Sequence, residues 1–151
     1  MYRVILGLVS VALLSSCAQF KTIDAKDVLH NQYAKYISYL NGSNNQAAIH
    51  MLSQRNIDDL MTHSNVNGFQ KYFPVISTIN HVLLEEYGSF EAMELDTGCL
   101  SVFGVDTSKE PTSINLEYIN EQGIWKLDYA QIMYHGSKAE LPKSTTCPTR
   151  M

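Results

Sequence analysis

The chain has 151 residues, of which 45% are hydrophobic and 17% charged, the balance of a single globular domain rather than a disordered segment. Its formal net charge is −4, and its lysines stand singly along the sequence. A nucleic-acid groove or an anionic-lipid patch requires concentrated positive charge, so the composition supports neither and no nucleic-acid partner is expected.

The first element is an address. Arg3 and the α-amino group make a small positive region, and Val4 to Leu14 follow as an apolar run. At about 1.5 Å per residue that run spans roughly 16 Å as a helix, too short for a hydrocarbon core of about 30 Å and the right length for a secretory leader. Ser15 and Ser16 are small enough to admit a peptidase, and Cys17 comes directly after them. Leu14-Ser15-Ser16-Cys17 resembles the bacterial lipoprotein box. The resemblance implies a signal peptide over residues 1–16, diacylglycerol on the Cys17 thiol, and cleavage that leaves this cysteine first, on a lipidated tether of residues 17–24. A conventional signal and a retained hydrophobic anchor are the alternatives. Two or more acyl chains, at about 0.8 kcal/mol per buried CH₂, hold a protein on a membrane durably where one does not. Ala18 stands where an aspartate would resemble an inner-membrane retention signal, so the resemblance favours the periplasmic face of the outer membrane.

With Cys17 acylated, two of the three cysteines remain, Cys99 and Cys147. An oxidising compartment permits them to pair, and closing a loop of about 49 residues is worth roughly 4 kcal/mol on chain-entropy arithmetic. Two free buried thiols are the alternative.

Residues 25–151 read as one domain. A helix is expected from about Asp24 to Leu40, with Leu29, Tyr33, Tyr36, Ile37 and Leu40 on one apolar stripe. Asn41-Gly42 supplies a stop with glycine in a left-handed cap, and Asn44-Asn45 a cap for the next helix. From Gln46 to His63 the apolar phase changes, as two short helices meeting near Ser53 to Arg55 would require. Phe69, Tyr72 and Phe73 open another apolar run. Pro74 suits the first position of a helix, whose spacing continues through Val75, Ile76, Ile79, Val82, Leu83 and Tyr87 to Gly88.

The period then falls to two. Phe90 to Leu95 is a weakly defined strand, Gly98 to Val105 a stronger one, and Ser113 to Ile119 alternates as a half-buried antiparallel strand does. Asn120 to Gly123 closes a four-residue hairpin with glycine at positive φ. Ile124 to Tyr134 is a long strand with Trp125, Leu127, Tyr129 and Met133 pointing one way. Gly136 to Met151 reads as an irregular tail. Helices first and an antiparallel meander afterwards define an α+β domain with its helices on one sheet face.

That order, ending in Gly123-Ile124-Trp125-Lys126-Leu127-Asp128, resembles the nuclear-transport-factor-2-like (SnoaL-like) superfamily. The resemblance implies a cone-shaped α+β fold whose concave sheet face serves enzymes in some members and binding modules in others. It places a pocket at Leu116, Tyr118, Leu127 and Tyr129, open to a small apolar ligand.

Chemistry has to come from particular groups. The five histidines form no H-x-x-x-H, no G-x-S-x-G is present, and the eight glycines are isolated. Asp59 and His63 stand at i, i+4 and read as a surface ion pair. Asp96, Asp106 and Asp128 with nine tyrosines leave a carboxylate–phenol pair of the isomerase type open without selecting one. Glu85-Glu86 reads as a solvated edge. Tyr39, off the core stripe, is a candidate for partner contact. No catalytic residue, metal or cofactor is assigned. The expectation is a membrane-anchored envelope lipoprotein, non-enzymatic, binding another envelope protein as an accessory of a surface or secretion assembly. The alternative is a pocketed domain that binds or transforms a small apolar molecule.

Overall fold

The computed structural model describes residues 27–63 and 68–150; the leader, Cys17 and the tether lie outside them. No helix among the described residues is long and apolar enough to cross a membrane. Helix α1 (Val28–Asn41) buries Leu29, Tyr33, Tyr36 and Leu40, the stripe its spacing predicts, with Ile37 partly buried beside them. Its start is held from a distance. Among the described residues the Asp27 side chain makes no capping bond. Instead the Glu91 carboxylate accepts the amides of Val28 at 2.8 Å and of Leu29 and His30 at 3.0 Å, filling the orphan donors of the first turn. At the other end the left-handed residue is Ser43 (φ 55), not Gly42 (φ −80). The Asn44 amide closes back on the Tyr39 carbonyl at 2.8 Å, which moves the reversal one residue on.

Two short helices follow, α2 (Asn45–Ile49) and α3 (Gln54–His63). They break where the phase change predicts, and the Asn44 side chain caps the first by accepting from the Ala47 amide. Helix α4 (Phe69–Tyr72) ends at Phe73, because the residue before a proline is driven out of helical backbone, and Pro74 opens α5 (Pro74–Thr78). The long helix expected to Gly88 is corrected here. After Thr78 there is only a 3-10 turn, Ile79–His81, and β1 runs from Glu85 to Met93. Glu85 and Glu86 pair with Val105 and Gly104, so ladder hydrogen bonds override the helical spacing of Val82, Leu83 and Tyr87.

The sheet is a four-stranded antiparallel meander in the order β1-β2-β3-β4, with β2 Thr97–Val105, β3 Pro111–Glu121 and β4 Ile124–Tyr134. Mixed helix and sheet in this order is the α+β class expected. The last hairpin turns in two residues rather than four. Gln122 (φ 55) and Gly123 (φ 87) both have positive φ, the backbone that matches strand twist in a tight hairpin.

Helices cover one sheet face. Leu100, Val102, Ile114, Leu116, Tyr118, Leu127 and Ala130 of the sheet join Leu29, Tyr36, Leu52, Leu60 and Phe69 in one core. Gly98 is required where α1 comes closest, since a Cβ there would lie 2.8 Å from Leu29 Cδ1. The far edge of β4 is partly closed by Met51 to Ser53. The Leu127 amide donates to the Met51 carbonyl at 2.9 Å and the Ser53 amide to the Leu127 carbonyl at 2.8 Å.

The tail has little regular structure, yet it is tied across the opposite sheet face. His135 lies 2.8 Å from the Ser113 hydroxyl, Lys138 donates to the Tyr87 hydroxyl at 3.1 Å, and the Thr146 amide donates to Ser101 Oγ at 2.9 Å. Cys147 is bonded to Cys99 of β2, the pairing that the cysteine count anticipates.

Candidate functional site

The most ordered polar cluster lies where β4 breaks its alternation. Glu117 pairs with Tyr129 and Tyr118 with Leu127, leaving Asp128 as the extra residue of a β-bulge. The bulge turns the Asp128 side chain into the protein, where it is fully buried. Its Oδ1 accepts from Ser53 Oγ at 2.6 Å, and Arg55 and Arg150 both donate to Oδ2. The Asn56 amide reaches the Asp128 carbonyl at 2.7 Å. A buried carboxylate needs this density of donors to offset its lost hydration.

Arg150 also donates to Glu117 at 2.6 Å and lies 4.9 Å from the Tyr129 ring centre. Burial works against its charge. The hydrogen bonds to Glu117 and Asp128 outweigh that cost, so the guanidinium is held more firmly protonated than usual. Beside this cluster is an open cleft of about 280 Å³ with Tyr72, Phe73 and Tyr129 among its walls. Both oxygens of Asp128 are already engaged, and the arrangement fastens the tail and α3 to the sheet.

A second group of polar atoms lies inside the core. Tyr36 donates to the Ile76 carbonyl at 3.1 Å, whereas the Tyr118 hydroxyl is buried without a hydrogen-bond partner among the described residues. Burial raises the phenols of Tyr33 and Tyr36, with the Glu86 charge adding to the effect on Tyr33. Burial likewise raises Tyr118, followed by the influence of Tyr33, Tyr36 and Glu91. Glu91 has both oxygens committed to the start of α1, and Glu86, at the solvated edge, has one oxygen 2.7 Å from His30 Nε2.

The four residues expected to line a pocket are divided. Leu116, Tyr118 and Leu127 sit together in the core, none more than 2% exposed. Tyr129 lies on the other sheet face under Arg150, and this corrects the expectation that it points with Leu127. The bulge at Asp128 is the reason, and it sends Met133 to the outer face as well. Cys99 and Cys147 are brought together; Cys17 lies outside the described residues. Asp59 and His63 form the expected exposed pair at 3.1 Å. Glu86 lies at the solvated edge as read, 2.7 Å from His30 Nε2.

Sequence reading missed Ser53, Arg55 and Arg150 as partners of Asp128. The one available signal was a charged side chain inside an otherwise alternating strand, which marks either a solvent-facing position or a bulge. No family model, curated protein or solved structure matches the chain, so its functional reading rests on its own residues.

Proposed function

We propose that this protein is a lipid-anchored bacterial envelope protein that works by binding rather than by catalysis. The observation that carries the reading is the allocation of cysteines. Two of the three are joined to each other as Cys99–Cys147, and the third follows Leu14-Ser15-Ser16 at the end of an apolar run. A disulfide on a secreted domain agrees with export through an oxidising compartment. Acylation gives the remaining thiol a use.

The meander with helices on one face supports reading the domain as a variant of the nuclear-transport-factor-2-like cone. In this variant the concave face is filled by Leu116, Tyr118 and Leu127 instead of holding a cavity, which favours recognition on the outside of the domain. The proposed partner is another component of the envelope, met at the periplasmic face of the outer membrane.

Mass spectrometry of the N-terminal peptide from the exported protein tests the anchor. Diacylglycerol on Cys17, lost together with membrane association in Cys17→Ser, is the expected result. An unmodified thiol at that position overturns the reading.

A further inference from the structure

A separate cleft of about 350 Å³ opens between α1, the α2–α3 junction and the start of β4. Its volume is at the lower end of the range for small-ligand sites, roughly 300–1,000 Å³. Tyr39 and Trp125 supply flat faces, and Lys35, Lys126 and the exposed His50 supply positive or protonatable groups. No carboxylate is among its lining residues within the described part of the chain, although the chain carries 15 acidic residues against 11 basic ones. Among the described residues neither lysine forms a salt bridge. Lys126 uses one donor on the His50 carbonyl at 2.6 Å, leaving two of its three. Lys35 lies 5.9 Å from the Tyr39 ring centre. The adjoining Glu121, which shares a neighbouring hollow with Lys126, has its carboxylate on the Gln54 amide at 2.7 Å.

We propose that this cleft binds an anionic sugar unit, a pyranose bearing a carboxylate or phosphate. Its C–H face stacks on Trp125 and Tyr39 and its negative group lies between Lys35 and Lys126. The charge assignment follows from the lining: like charges gathered without acids repel each other, and an anion relieves the repulsion. The ring assignment follows from the two aromatic faces, which offer area without a deep apolar socket. A neutral sugar would leave both ammonium groups without a counter-charge, and among the described lining residues Gln32 is the one side-chain amide that can accept from its hydroxyls.

An acidic peptide is the less favoured occupant. Extended peptides gain affinity by adding to a free strand edge, and the β4 edge beside the cleft is already taken at Leu127 by Met51 and Ser53. The proposal gives the binding role argued above a ligand class, and it rests on that reading only for where the sugar is met.

Trp125 is the single tryptophan of the chain, so its fluorescence reports the cleft directly. Full-length protein, purified in a mild non-ionic detergent, is titrated with digalacturonate, glucose 6-phosphate, maltose and a tetraglutamate peptide. Saturable change with either anionic sugar and none with maltose is expected, the two anionic arms separating a carboxylate source from a phosphate source. Lys126→Glu and Lys35→Glu weaken binding at least tenfold with unchanged circular dichroism and melting, and Lys109→Glu in the β2–β3 turn leaves it intact. Absence of change with both anionic sugars, equal response to maltose, a response to the peptide alone, or indifference to both cleft substitutions overturns the proposal. A lipid on Cys17 without sugar binding sinks this inference alone; sugar binding without the lipid sinks the anchor alone.

Discussion

Tyr118 has a ring that the core needs and a hydroxyl that finds no acceptor among the described residues. An unsatisfied buried hydroxyl costs on the order of 1 kcal/mol or more, so Tyr118→Phe is expected to raise the melting temperature by about 3 °C for a domain of this size, measured by calorimetry. The same position gives a pH signature. Burial raises the phenols of Tyr33, Tyr36 and Tyr118 in the folded state. Their contribution is therefore complete below the ordinary phenol value of about 10. It is lost as pH rises beyond that value, because the unfolded chain then releases protons that the folded chain retains. Each such site steepens the loss by up to about 1.4 kcal/mol per pH unit. Urea midpoints between pH 9 and pH 12 should fall in the native protein and fall less steeply in Tyr118→Phe. Little of this was legible beforehand. The core stripe places Tyr33 and Tyr36, but periodicity is silent about whether a hydroxyl finds an acceptor, and Asp128 looked like one of three equivalent acids until the bulge turned it inward.

At the scale of elements, α1 and β1 are a single unit because Glu91 accepts three amides from the first turn of the helix. Glu91→Ala removes a charge favourable to the helix dipole together with the cap, and should cost about 1–2 kcal/mol. Hydrogen exchange is the direct check: the amides of residues 28–30 should lose protection while those of β3 keep theirs. Helix α1 was readable because its stripe is long and regular, and the breaks at residues 41–44 and before Pro74 were readable because capping and proline geometry act locally. Strand β1 was not. Its burial is mixed along the edge of the sheet, so no clean alternation marks it, and Val82, Leu83 and Tyr87 mimic helix spacing. The cap itself spans more than sixty residues, a separation no local pattern records.

At the scale of the molecule, the sheet is held between helices on one face and the tail on the other. The Cys99–Cys147 bond fastens that tail. Replacing both cysteines with serine should lower stability by about 4 kcal/mol in the chain-entropy picture, read from urea unfolding, and should expose Lys138 and Lys143 to trypsin before the rest of the domain is cut. The pairing could be anticipated by counting cysteines. The strap could not, since a segment of serine, threonine, proline and lysine has no period by which to assign it a face. The bulge in β4 carries a last consequence, one for insertions and deletions. Loss of the single codon for Asp128 would remove the extra residue and leave regular pairing, with Leu127 still opposite Tyr118 and Tyr129 still opposite Glu117. Tyr129, Gln131 and Met133 would keep to the tail face and Ala130 and Ile132 to the helix face, while the carboxylate that fastens α3 and Arg150 would be gone. Deleting Asp128 should therefore weaken the domain without abolishing folding, whereas deleting Gln131 with the bulge in place would reverse the faces after it; lengthening the exposed β2–β3 loop by one would be absorbed.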